Sequence, residues 1–140
     1  HYIGKTHGLL WVNGFFEPHR PNPKISVPYF IHAIDSLPFT LGCIYANWVN
    51  KDTGEIIRTF SIITTPPNKL LSEIHTEGQR MPLIILPEER KTWLHATNKD
   101  EIIGLMKPLP DGYLAGYQVS NIINKERGLN TADTLNRISQ

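Results

Sequence analysis

The chain has 140 residues, 40% of them hydrophobic, and fourteen Lys and Arg against thirteen Asp and Glu leave a formal net charge of +1. The length suits one domain, since domains cluster at about 100–150 residues, and the apolar content excludes whole-chain disorder. The near-neutral balance excludes a strongly basic arm of the kind that binds duplex DNA by charge alone, so any nucleic-acid contact must be local.

In chain order, Leu9 to Phe16 is rich in aromatic and branched residues and predicts a buried strand stopped by Pro18, with Glu17 at its end. His19 to Ser26 has loop composition and Val27 to Ile34 resumes a strand pattern, which together predict a hairpin with a long, mobile tip. Phe39 to Val49 is apolar on both alternating sets, the pattern of a central strand covered on both faces. Asn50 to Gly54 supplies the turn chemistry for a second hairpin, whose return strand runs from Ile56 to Thr65.

Pro66-Pro67 ends that strand, and Asn68 caps a short predicted helix carrying Leu70, Leu71 and Ile74, with His75 at its end. A proline-bounded strand from Pro82 to Pro87 precedes a helix reaching about Ala96, opened by Glu88 and Glu89. Asn98 and Glu101 form the signature of a capping box for another short helix before Pro108, and Gly112 to Val119 reads as the last strand. The fold class is therefore α+β: a curved, barrel-like, mostly antiparallel sheet with a few short helices.

The longest apolar runs, such as Leu83 to Leu86, are far below the roughly 20 residues that span a bilayer, and no charged-then-apolar leader opens the sequence. The chain reads as soluble and cytoplasmic, without a membrane partner. Cys43 is the single cysteine, which leaves no internal disulfide and no second thiol for zinc. The six histidines show no i, i+4 pair, so no metal is expected, and the absence of phosphate-loop and dinucleotide fingerprints leaves no small-molecule cofactor to expect. Cys43 and the three tryptophans, Trp11, Trp48 and Trp93, lie in apolar stretches that suit core packing; the tryptophans are also the available stacking platforms for an unpaired strand.

What remains is polar residues at the ends of apolar strands: Glu17, Thr64, His75 and Arg80. Each has a plainer reading alone: a solvated strand end, a hydroxyl satisfying nearby backbone, a partner for the last helix carbonyls, an ordinary salt-bridge cation.

Taken jointly they resemble a known family. Leu9 to Glu17 is similar to the C-L-I-P-A-D-G-F-Y-E-W strand of the SOS-response-associated peptidases, which shield abasic sites in single-stranded DNA. Pro28 to Ile31, the run from Phe39 to Trp48, and Thr59 to Thr65 resemble that family's following strands, the last matching T-F-T-I-I-T-T. Ile74-His75 and the run from Arg80 to Leu86 resemble its I-H-x-R-M-P-V-I-L block, here with Glu77-Gly78-Gln79 as extra residues, and Gln118-Val119-Ser120 with Asn124 resemble a late Y-x-V-S-x-x-V-N segment. Pro18 stands where the family has Trp.

The resemblance implies that residues 1–140 form a single domain corresponding to the later, C-terminal portion of the family pattern. The chain opens at His1 rather than methionine, which reads as a fragment or processed product lacking the family's N-terminal cysteine and its N-A-R-x-E segment. It further implies an abasic-site processing activity of lyase or peptidase type. Glu17 and His75 are then the catalytic acid/base groups, and Thr64 and Arg80 the DNA-binding ones. Alone, the chain is expected to be inactive. The implied partner is single-stranded DNA containing abasic sites, with the protein a monomer and nucleoid-associated when acting on DNA. Two alternatives stay open: an autoprocessing cysteine peptidase and a noncatalytic single-strand binder.

Overall fold

A computed structural model of the chain describes residues 6–22, 24–75, 78–120 and 132–138. These fall into two compact units between which the chain passes repeatedly; the first holds residues up to Val12, Phe39–Pro66 and Met81–Leu109, and the second Asn13–Pro38, Pro67–Arg80 and the residues from Pro110 onward.

In the first unit, β1 (Thr6–Val12), β4 (Phe39–Val49) and β5 (Ile56–Ile62) form an antiparallel sheet with β4 central, and β8 (Ile84–Ile85) pairs with the opening of β4. A second small ladder joins β6 (Thr64–Thr65) to β7 (Met81–Pro82). The turn from β4 to β5 forms as its residues dictate: Asn50 Oδ1 accepts from the Asp52 amide, and Gly54 adopts φ +74°, where a side chain would be strained. A 3-10 turn at Pro87–Glu89 leads into α2 (Arg90–His95), and α3 (Lys99–Leu105) follows, its N-cap Asn98 accepting from the Glu101 amide at 2.9 Å.

The core of this unit gathers Ile63, Leu83, Ile85, Trp93 and Ile102, with Leu9 and Ile44 packed against it from the sheet. Trp93 is fully buried because its one polar atom is satisfied: the indole N–H donates to the Gly8 carbonyl at 2.9 Å. Strand β4 departs from the expectation of two covered faces. Thr40 to Cys43 are buried, but from Ala46 onward β5 is its neighbour in the ladder, all seven β5 residues are exposed, and Trp48 is 51% exposed. Trp11 is likewise exposed, its ring stacked on the Arg90 guanidinium 4.5 Å from the centroid, so of the three tryptophans expected in the core Trp93 alone is buried.

The second unit is built on an antiparallel sheet in the order β2 (Phe15–Asn22), β3 (Ile25–Ala33), β9 (Leu114–Gln118). The expected single strand from Leu9 to Phe16 is two strands broken at Asn13-Gly14, and β2 runs through Pro18 to Asn22 instead of stopping. Pro18 is tolerated because β2 is the edge strand of this sheet, where a missing N–H need not cost a ladder bond. The predicted long tip is instead strand as far as Asn22, which pairs with Ile25, and Glu17 lies within the strand rather than at its end. Residues on one face of the sheet meet α1 (Lys69–Ile74), which Asn68 caps by accepting from the Leu71 amide at 3.1 Å; Ile31, Leu71 and Val119 are fully buried in this unit.

The architecture is mostly antiparallel sheet with a few short helices, as expected, although the sheets among the described residues are open ladders rather than a closed barrel. No helix among the described residues is long and apolar enough to cross a membrane. Asn124 lies outside the described residues.

Candidate functional site

Two residues 58 positions apart in the expected set meet in the second unit, Glu17 Oε2 lying 3.3 Å from Nδ1 of His75. The local structure explains why. Glu17 pairs with Tyr29 in the β2–β3 ladder, so alternation sends its side chain to the same face as Phe15 and His19. Helix α1 ends on that face: His75 is its C-cap, with its amide donating to the Leu71 carbonyl at 2.8 Å, and its ring is carried back over the strand.

The pair is drawn out of water without being sealed, the side chains of His75 and Glu17 being 21% and 13% exposed. Burial pushes the Glu17 carboxyl above its ordinary value, because a half-dehydrated carboxylate loses hydration, while the neighbouring imidazole pulls it partly back. A second oxygen, the Arg80 carbonyl, faces the same ring nitrogen at 3.4 Å. Two acceptors at Nδ1 assign the proton of the neutral ring to Nδ1 and leave the lone pair on Nε2. Such a pair can relay a proton: the carboxylate orients the ring, and Nε2 gives or takes the proton.

The other two expected residues contribute differently. Arg80 belongs to the same unit, its carbonyl at His75 and its side chain exposed. Thr64 belongs to the first unit, exposed and paired with Pro82 in the β6–β7 ladder. Cys43 is buried in the first unit with its thiol pushed up by desolvation, the setting of a packing residue rather than a nucleophile.

Sequence reasoning missed His19, whose Nδ1–H donates to the Ile74 carbonyl at 2.9 Å, one residue before His75. The signal was present: a carboxylate and a histidine at i, i+2 share one face of any strand. Pro18 obscures it, since a proline there predicts the strand's end.

Among known proteins, residues 1–126 match the family described as SOS response associated peptidase (SRAP). The chain is 34% identical over 121 residues to the abasic site processing protein YoqW of Bacillus subtilis (strain 168), covering 85% of this chain and 52% of that protein. It is 32% identical over 124 residues to YobE of the same organism, an abasic site processing protein of which it covers 55%. A crystal structure of a protein from Bacteroides thetaiotaomicron superposes with a TM-score of 0.89 at 34% identity, covering 98% of this chain and 59% of that one. The chain thus spans about half the length of the curated relatives it matches.

Proposed function

Because the chain belongs to the SOS response associated peptidase family, we propose that it carries the acid/base part of a site that captures abasic sites in single-stranded DNA as a covalent adduct. The observation that carries this reading is the Glu17–His75 contact: two proton-handling groups from distant parts of the chain, 3.3 Å apart and still reached by solvent.

An abasic sugar opens to an aldehyde, and its capture needs a free amine. An α-amino group of pKa about 7.7–8.0 is about one-third free base near pH 7.5, whereas an ordinary lysine near 10.4 is about one-thousandth. A terminal cysteine supplies both that amine and a neighbouring thiol; it is not among these 140 residues, whose one cysteine is the buried Cys43. The amine adds to the aldehyde carbon and expels water to give an imine. The thiol sulfur then adds to the imine carbon while its proton passes to nitrogen, closing a thiazolidine.

Glu17 takes the proton from the α-ammonium, helped by the burial that raises its basicity. His75, with Nδ1 facing the carboxylate, takes the proton of the sugar's anomeric hydroxyl on Nε2 and passes it to the ring oxygen as the C–O bond breaks and the sugar opens to the aldehyde. Arg80 supplies a planar cation to a flanking phosphate and Thr64 a hydroxyl; with so few contacts, affinity is modest and falls with salt. Residues 1–140 in this reading are the later portion of one domain.

The test is a denaturing gel of the full-length polypeptide incubated with a labelled abasic oligonucleotide. We expect a retained band, and Glu17→Gln or His75→Ala slows its formation by about 10²- to 10⁴-fold, the usual worth of a positioned acid or base. The 140-residue chain alone gives a labile imine or no adduct. A full-length protein that leaves no retained band refutes the reading. A second reading, noncatalytic strand binding, draws on the exposure of Trp11 and Trp48; equal affinity for intact and abasic strands favours it.

A further inference from the structure

A six-residue helix is a weak platform for an acid/base group, since its last carbonyls lack intrahelical partners and such ends fray. Two contacts around His75 counter this. On one side His19 stands on β2 two residues beyond Glu17, and its Nδ1–H donates to the carbonyl of Ile74, the final residue of α1. The strand that carries the carboxylate therefore also holds the backbone from which the imidazole projects. Tyr29 packs beside it nearly perpendicular, the two ring centroids 5.8 Å apart.

On the other side lies Gly78. A Cβ placed there falls on Cε1 and Nε2 of the His75 ring, the edge that bears the lone pair once Nδ1 faces its two acceptors. Gln79 then takes φ +47°, an uncommon left-handed conformation for a residue with a side chain, and the chain turns so that the Arg80 carbonyl reaches Nδ1. Backbone strain at Gln79 and the missing side chain at Gly78 serve one outcome: the chain passes close against the Cε1–Nε2 edge of the ring without a side chain there to displace it, while the Arg80 carbonyl meets Nδ1.

We infer that His19 and Gly78 are positioning residues for His75, His19 fixing the backbone of the imidazole and Gly78 its ring, so that Nδ1 stays on Glu17 and no side chain at position 78 displaces the Nε2 edge. The inference rests on the acid/base reading of the pair, and its test separates the two.

In the 140-residue chain labelled with ¹⁵N-histidine, the neutral His75 ring reads by NMR as a single tautomer with the proton on Nδ1. His19→Leu and Gly78→Ala each turn it into a mixture of tautomers, while His19→Asn, which keeps a donor at the place of Nδ1, restores the single form. In the full-length protein the first two variants slow adduct formation roughly tenfold to a hundredfold, the scale of an ångström's misplacement, and the third recovers most of the rate. An unchanged His75 tautomer in His19→Leu and Gly78→Ala overturns the inference, as does a His19→Asn chain no better than His19→Leu. If Gly78→Ala disturbs folding, the Leu and Asn pair at position 19 decides alone. Should the full-length protein form no adduct while the tautomer changes appear as expected, the proposed function fails and the positioning stands.

Discussion

The first unit buries His7 against Trp93, ring centroids 4.6 Å apart, with Nε2 finding no hydrogen-bond partner among the described residues. The second unit instead keeps the His75 side chain 21% exposed, with a carboxylate 3.3 Å from Nδ1. Desolvation pushes the His7 pKa down and holds that ring neutral, so it serves as a flat packing group. At His75 an acidic partner accompanies the burial, and the side chain stays partly exposed. Burial alone silences an imidazole, as it does the Cys43 thiol; burial beside a carboxylate, with the side chain still reached by solvent, is the setting that the proposed acid/base role requires.

The strongest test of that contrast is apolar. If the first unit is held by packing, Trp93→Ala should cost about 3–5 kcal/mol, the range for removing a fully buried large aromatic. The loss includes the N–H that satisfies the Gly8 carbonyl and the surface on which His7 rests. Urea denaturation of the 140-residue chain measures it, and a cost below about 0.5 kcal/mol, the level of an ordinary surface change, would show that the indole is not central to this core.

A smaller effect is read at His7 by pH. The folded pKa of His7 lies below its ordinary 6.5, so the unfolded chain binds a proton more readily there. The stability tied to a neutral His7 is complete above pH 6.5 and is lost as pH falls toward the depressed folded value. His7→Leu keeps the apolar contact, removes the unpartnered nitrogen, and should flatten this acid-side loss in denaturation midpoints compared between pH 7.5 and 5. A variant whose midpoint falls as steeply as the parent's would place the acid sensitivity elsewhere.

Legibility in the sequence followed the range of the forces involved. Local chemistry was readable: the Asn68 and Asn98 caps, the Asn50–Gly54 turn and the 39–49 strand all appear where their residues predict them. Coverage of faces was not, because it depends on which strands become neighbours; alternating apolar residues at Trp48 and Val49 look buried until β4 is seen to extend alongside β5 with its outer half exposed. Pro18 misled for the same reason, since proline stops a central strand but not an edge one. Glu17 and His75 were legible through the family resemblance and their contact came from the fold. His19 was hidden by the misplaced strand end, and Gly78 by having no side chain to notice.

The smallest expected change sits at Glu17 and runs opposite to that at His7. Its folded pKa is raised above the ordinary 4.5, so the folded chain binds this proton more readily than the unfolded one. The associated stability is fully present below pH 4.5 and is lost as pH rises through the raised value, because the carboxylate must then be held partly out of water, a cost that His75 offsets only in part. Glu17→Gln keeps the shape and removes the charge, so its denaturation midpoint should decline less than the parent's between pH 4.5 and 7. The same variant is expected to be slow in adduct formation. In the acid/base reading proposed above, the carboxylate is held for chemistry at a cost to the fold; a Glu17→Gln chain that lost stability at neutral pH would instead make Glu17–His75 a structural ion pair.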